Sequence, residues 1–255
     1  MARIFITGSA DGLGLFNAHT LLDQGHQVLL HARSEERARD LRDLAPRTLG
    51  IAIGDLSSDT ETRSLAQQVN TIGGIDAIIH NAGVYTSDHR VETADGHSRT
   101  FAVNVLAPYL LTALIERPKR LVYVSSGMHL SVTGNLDDVE WTARHWNGGQ
   151  AYSESKLLVS TLAAAVARLW PDILSNSVDP GWVPTKMGGP GASDDLQLGH
   201  LTQSWLAVSP DRAALVSGQY WHHQRTQRPA ADVTDVDFQN RLLDTLSSMT
   251  GAALE

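Results

Sequence analysis

Thr7-Gly8-Ser9-Ala10-Asp11-Gly12-Leu13-Gly14 decides how this chain folds. The apolar run Ile4-Phe5-Ile6 precedes it, and a helical pattern follows from Gly12. Glycines at such a junction let the backbone turn sharply and let a phosphate approach the amides. The helix that starts there offers unpaired N–H groups and the positive end of its dipole. Strand, glycine turn and amphipathic helix in that order read as a dinucleotide cradle; without that context the three glycines would be an ordinary turn.

Outward from the turn, short apolar runs alternate with longer helical patterns. Strands are predicted at 4–6, 28–30, 50–53, 77–79, 121–124, 174–178 and 218–221, and helices at 12–24, 35–44, 59–72, 96–115 and 152–170. Nearly continuous apolar runs suit parallel strands covered on both faces. The alternation predicts an α/β fold, a single Rossmann-type doubly wound parallel sheet of about seven strands flanked by helices. Residues 1–255 then form one domain, and 42% hydrophobic residues are enough to give it a core. Two segments break the rhythm. Residues 127–150, with Trp141, His145 and Trp146, read as an insertion near the site, and 188–206, opening on Gly188-Gly189-Pro190-Gly191 and continuing as a possible helix, as a mobile lid.

Composition narrows the function. A net charge of −8, from 20 basic and 28 acidic residues, speaks against a nucleic-acid partner. Without cysteine there is no disulfide framework, thiolate metal site or thiol nucleophile. No apolar stretch is long enough to span a membrane, and the first residues are too briefly apolar for a signal peptide. A cytoplasmic protein is expected. His222-His223 lacks the spacing and the further ligands of a metal site, so no metal is expected.

Tyr152-Ser-Glu-Ser-Lys156 places a phenol and an ammonium four residues apart, on one helix face. A phenol has a reference pKa near ~10, and a nearby cation favours its ionised form. On a plain helix the same spacing only packs a lysine stem against a ring. The end of the second strand bears on the cofactor: it reads His31-Ala32-Arg33-Ser34-Glu35-Glu36-Arg37, with no carboxylate at its tip. A carboxylate there would bind a free ribose 2′-hydroxyl, whereas Arg33 and Arg37 could clamp a 2′-phosphate. Alternatively Glu35 and Glu36 pair with both arginines.

The pattern Thr-Gly-x-x-x-Gly-x-Gly resembles the short-chain dehydrogenase/reductase family. Further matches are Asn81-Ala82-Gly83, Asn104, Ser125-Ser126, Tyr152-x-x-x-Lys156 and Pro180-Gly181. The chain is similar to NADP-preferring members, those like retinol dehydrogenases and carbonyl reductases. The resemblance implies that Tyr152 is general acid and base and that Ser126, rather than Ser125, orients the substrate oxygen. Lys156 would tune the phenol and hold the ribose, and Asn104 would distort its helix and complete a proton relay. It implies a cofactor site of Gly8, Asp11, Gly12, Leu13, Gly14, Arg33, Arg37, Asp55, Leu56, Asn81, Ala82, Gly83, Tyr152, Lys156, Pro180, Gly181, Val183 and Thr185. It also implies the strand order 3-2-1-4-5-6-7 and pairing into homodimers or homotetramers.

Some residues keep two readings. Asp55 contacts adenine or caps a helix. Trp182 walls the ring pocket or packs in the core. His129 reads as a surface histidine in a polar segment. The expected activity is NADP(H)-dependent interconversion of a ketone or aldehyde with an alcohol, on a bulky apolar small molecule, with NAD the lesser choice. The alternative is an NADP(H)-sensing binding protein without catalysis.

Overall fold

In the computed structural model, which describes residues 1–85 and 88–254, the glycine turn leaves β1 (Arg3–Ile6) and enters α1 (Gly12–Asp23). Then follow β2 (Gln27–Ala32), α2 (Glu35–Ala38), β3 (Gly50–Ile53), α3 (Asp59–Ile72), β4 (Ala77–His80), α4 (Arg99–Phe101), α5 (Ala107–Leu114) and β5 (Arg120–Val124). The second half runs α6 (Gly148–Leu169), β6 (Leu174–Asp179), α7 (Leu196–Val208), β7 (Tyr220–His222), β8 (Arg225–Gln227), α8 (Ala231–Thr234) and α9 (Val236–Thr250). The sheet order is β3-β2-β1-β4-β5-β6-β7-β8, parallel except for the antiparallel β7–β8 pair. The expected order therefore stands, with one more edge strand.

Strand alternation feeds two core layers. Phe5, Leu29, Ile78, Leu121 and Tyr123 face α3, α5, α6 and α9. Ile4, Ile6, Leu30, Ile79 and Val122 face α1 and α7. Order reverses between β1 and β4, where Ile6 is level with both Leu30 and Ile79. The tips of β1, β2 and β4 thus converge at the switch point where such sheets bind ligands.

Several elements differ from their sequence patterns. The helix expected at 35–44 shortens to α2, capped by Ser34, and tightens into a 3₁₀ turn at Arg39–Leu41. The one expected at 96–115 begins at Arg99, because a Glu92–Ser98 bridge closes a turn before it. It opens into a π-helical turn, Ala102–Leu106, centred on Asn104. The second half of 188–206 is helical, as its pattern allowed. Residues 196–208 are α7, whose Ser204 donates to Asn17 Oδ1 (2.6 Å) and whose His200 meets Thr20 (2.9 Å), both on α1.

The two sheet edges differ. At β3, the Gln68 amide accepts from Ile53 N (2.9 Å) and donates to Ile53 O (2.8 Å). At the other edge β8 is three residues long and exposed throughout. No helix among the described residues is long and apolar enough to cross a membrane.

Candidate active site

The glycine turn is held from three sides. Thr7 Oγ1 accepts from Asn81 N (2.9 Å) and Ala82 N (3.0 Å), while Asn81 Nδ2 donates to Thr7 O (2.8 Å) and Gly8 O (3.1 Å). Gly8 N donates to His31 Nδ1 (2.8 Å), so the His31 proton sits on Nε2 and goes to Gly54 O (2.9 Å). Gly8 and Gly12 take φ of 63° and 53°, the left-handed region. A methyl group on Gly14 would collide with the Gly8 carbonyl and the Asn81 amide. Asp11 precedes α1 but makes no side-chain cap, which leaves the first-turn N–H groups to a ligand. The cradle suits a diphosphate.

Charge around the turn is arranged differently from the sequence reading. Arg37 pairs with Asp11 (2.7 Å) and Asp40 (2.5 Å), not with Glu35 or Glu36. Lys186, from the loop after β6, also reaches Asp11 (2.9 Å). Arg33 is exposed at the tip of β2 and makes no ion pair among the described residues. Asp55 is not a helix cap: Ser58 caps α3, and Asp55 Oδ1 accepts from Ser57 N (2.9 Å). The Leu56 side chain is buried in the core, leaving only its backbone for a ligand.

Lys156 and Tyr152 stand on α6, which starts a turn before the expected 152 because Asn147 caps it. Ser125 is locked inside, donating to Lys156 O (3.0 Å) and accepting from Ser160 (2.7 Å). Ser126 is the more accessible hydroxyl: its Oγ accepts from Met128 N (3.3 Å), and it stands close enough to the Tyr152 phenol to favour the ionised form. The phenol oxygen also lies 4.0 Å from Met187 Sδ, and Tyr85 meets the ring edge-on at 5.3 Å.

What acts most on the phenol here is burial. Burial, then the charge of Asp179, push Tyr152 up to about 12, with the neighbouring Ser126 hydroxyl opposing. Burial likewise pushes Lys156 down to about 8, and its ammonium donates to Val124 O (2.8 Å). Asn104 Oδ1 accepts from Val84 N (2.8 Å), and its Nδ2 donates to Val84 O (3.0 Å) and Ser155 Oγ (2.9 Å). A methyl on Gly83 would lie 3.3 Å from Lys156 Nζ and 3.5 Å from Asn104 Oδ1, so both atoms border the same space.

After β6, Gly181 turns at φ 81° and Val183 is buried against Gly199 of α7. The Thr185 methyl lies over Gly12, 3.6 Å from where a β-carbon would stand. Trp182 is 57% exposed and donates to Gly188 O (3.0 Å), which removes the core-packing reading. His129 is corrected too. It is fully buried, with Nδ1 donating to Ser126 O (2.7 Å) and Nε2 accepting from Ala230 N (3.3 Å), and burial lowers its pKa.

The sequence reading passed over Glu154, between the tyrosine and the lysine. It is buried and accepts two bonds from Arg144 (2.8 and 2.9 Å) and one from Trp141 Nε1 (3.1 Å). The Arg144 guanidinium stacks over the Trp141 ring at 3.8 Å. This bidentate clamp fastens the insertion to the helix that carries Tyr152. A lone acid between the tyrosine and the lysine, with an Arg and a Trp ten and thirteen residues upstream, was the available signal.

The family model described as short chain dehydrogenase matches residues 2–195. Short-chain dehydrogenase chyC of Penicillium rubens is 40% identical, over 100% of this chain and 99% of its own. A Streptomyces protein named as a daunorubicin C-13 ketoreductase, DnrU, is 30% identical over 97% of this chain and 92% of its own. A solved structure of a metagenomic blue fluorescent protein in complex with NADPH superposes with a TM-score of 0.71 at 20% identity. That match covers 87% of this chain and 95% of the other, and it speaks to the fold.

Proposed function

Because the chain belongs to the short-chain dehydrogenase family, we propose that it interconverts a ketone or aldehyde and an alcohol with NADP(H). Tyr152 is its general acid and base. One observation carries this reading: the accessible Ser126 hydroxyl stands beside a phenol whose ring faces a buried ammonium. Bound dinucleotide would supply or accept the hydride. The glycine turn, the first amides of α1 and the loop of Pro180, Gly181, Val183 and Thr185 would hold it.

The protein's own part is the proton. In reduction, Tyr152 gives its hydroxyl hydrogen to the substrate oxygen, and in oxidation it takes one back. Ser126 donates to the same oxygen and so stabilises charge as it develops there. Lys156 keeps a positive charge beneath the phenol. Burial keeps the phenol protonated, and in alcohol oxidation the positive ring of a bound oxidised cofactor would favour the ionised form that accepts the proton.

Arg33 supports NADP(H) over NAD(H), because a 2′-phosphate would find an unpaired guanidinium and no opposing carboxylate. The NADPH bound to the fluorescent relative agrees with that choice. Tyr85, Met187 and Trp182 give the mouth an apolar rim, which supports an apolar carbonyl substrate. The test is a carbonyl panel with NADPH and with NADH, each oxidation followed by absorbance. Turnover with NADPH supports the proposal; tight NADPH binding without turnover across the panel would favour a sensing protein.

A further inference from the structure

Asp179 ends β6, one residue before Pro180-Gly181, and its side chain is 14% exposed. Oδ1 accepts from Gly181 N (2.9 Å), which fixes the start of the loop after β6. Oδ2 lies 3.5 Å from His222 Nδ1 on β7, a nitrogen that also meets the Asp179 carbonyl (3.3 Å), and the Tyr220 phenol of the same strand faces the carboxylate. A methyl on Gly127 would stand 2.9 Å from Oδ2, so the carboxylate also abuts the turn that follows Ser126. From the other side His129 binds the Ser126 carbonyl and packs edge-on against Tyr220, with ring centres 4.7 Å apart.

We propose that Asp179 is a positioning residue: one carboxylate that ties the Ser126–Gly127 turn to the Pro180–Gly181 loop and to β7, and so seats the serine against Tyr152. This rests on the carbonyl–alcohol reading of the site. Three segments that border the site meet at this single side chain.

The same carboxylate acts on the phenol by its charge. Tyr152 is faced by Asp179 from β6, Tyr85 from the segment after β4, Ser126 from the turn, and Lys156 beneath its ring. Asp179 in turn is faced by Tyr220 and His222 from β7, by His129, and by Tyr152. Burial raises the phenol first and Asp179 second. Removing the charge while keeping the acceptor for Gly181 N therefore makes Tyr152 more acidic. In reduction the protonated phenol is the active form, so the alkaline fall in rate then moves to lower pH.

Asp179→Asn is expected to lower kcat about tenfold, with the KM for NADPH within about twofold, because the serine loses its seat and cofactor contacts stay. Its alkaline limb is expected to shift down by about half a pH unit or more. A tyrosinate absorbance titration, taken as the difference from Tyr152→Phe, reads the same phenol without turnover. Gly127→Ala is the second variant, since its methyl displaces Oδ2 from the opposite side and its backbone has no positive φ to strain. An unmoved limb and an unmoved titration in Asp179→Asn, or wild-type kcat in Gly127→Ala, overturn the proposal. Should Asp179→Asn not fold, Gly127→Ala decides alone. A wild-type protein inactive on every carbonyl would instead overturn the functional reading, and the titration would still judge Asp179.

Discussion

The Lys156 ammonium lies 5.6 Å from the centre of the Tyr152 ring, above its face, while its hydrogen bond goes to the Val124 carbonyl. The cation is therefore placed to act on the phenol through the ring and through space, not by bonding its oxygen. Tyr152→Phe keeps that face and the Tyr85 contact but removes the transferable hydrogen. Turnover is expected to fall by about 10²–10⁴-fold. NADPH affinity, followed by fluorescence quenching, should stay within about twofold, since the ring and Lys156 are unchanged.

Burying that ammonium costs stability. Its pKa falls from 10.5 to about 8 on folding, so between those values the unfolded chain carries more protons. Stability then rises with pH across that window, and the full penalty, on the order of 3 kcal/mol, applies below about pH 8. Lys156→Met removes the charge but leaves Val124 O without its donor, a loss of about 1 kcal/mol. Urea unfolding at pH 7 should show the variant more stable by about 1–2 kcal/mol. The gain should shrink as pH rises from about 8 and be gone above about 10.5, where the wild-type lysine is neutral in both states. Catalysis should be lost.

Arg33 and Arg37 should separate in their effect on cofactor choice. Arg37 is already held by two aspartates, whereas Arg33 is uncommitted. Arg33→Ala should weaken NADPH binding by about 10–100-fold, the worth of a charge-assisted hydrogen bond. NADH binding should hardly change. Equal losses for both dinucleotides, measured as Kd, would remove Arg33 from the phosphate site.

His80 is expected to steepen acid unfolding. It is buried, its Nε2 meets Thr112 (3.3 Å), its ring stacks on Tyr123 at 4.6 Å, and Nδ1 has no partner among the described residues. Burial pushes it from 6.5 down to about 3, so below pH 6.5 the unfolded chain takes a proton that the folded chain refuses. Stability falls as pH falls through that range, by about 1.4 kcal/mol per pH unit. His80→Gln should lose that share of the slope between pH 6 and pH 4, read from urea midpoints.

The insertion is also anchored at its other end. Gly134 lies against the edge of the Phe238 ring of α9, and a methyl there would overlap it. Gly134→Ala should cost about 1–3 kcal/mol, as expected when a packed core side chain must move. Thermal unfolding measures the loss. An unchanged midpoint would mean that Phe238 swings aside freely.

Much of this molecule is written locally. The parallel strands announce themselves because both faces are buried, and Gly8, Gly12 and Gly14 mark the turn because only glycine fits there. β8 was invisible: Arg225, Thr226 and Gln227 are all exposed, so no apolar pattern marks them. α9 was missed although Phe238, Leu242 and Leu246 recur at helical spacing and are buried. His129 and Asp179 could not be read at all, because what buries and engages them comes from β7 and from residue 230, far along the chain. The site's motif residues are near their expected neighbours; the groups that tune them are set by tertiary packing alone.

The Gln68 amide at β3 and the brief, solvent-bathed β8 bear on how copies of this protein meet. A free sheet margin is a template on which a foreign strand can dock and a ribbon can grow. Here one margin has its last donor and acceptor occupied by a glutamine, and the other offers three residues beginning with Arg225 and trailed by Arg228-Pro229. Concentrated solutions should therefore resist fibrous growth through the sheet, and any pairing of subunits falls to the helical faces.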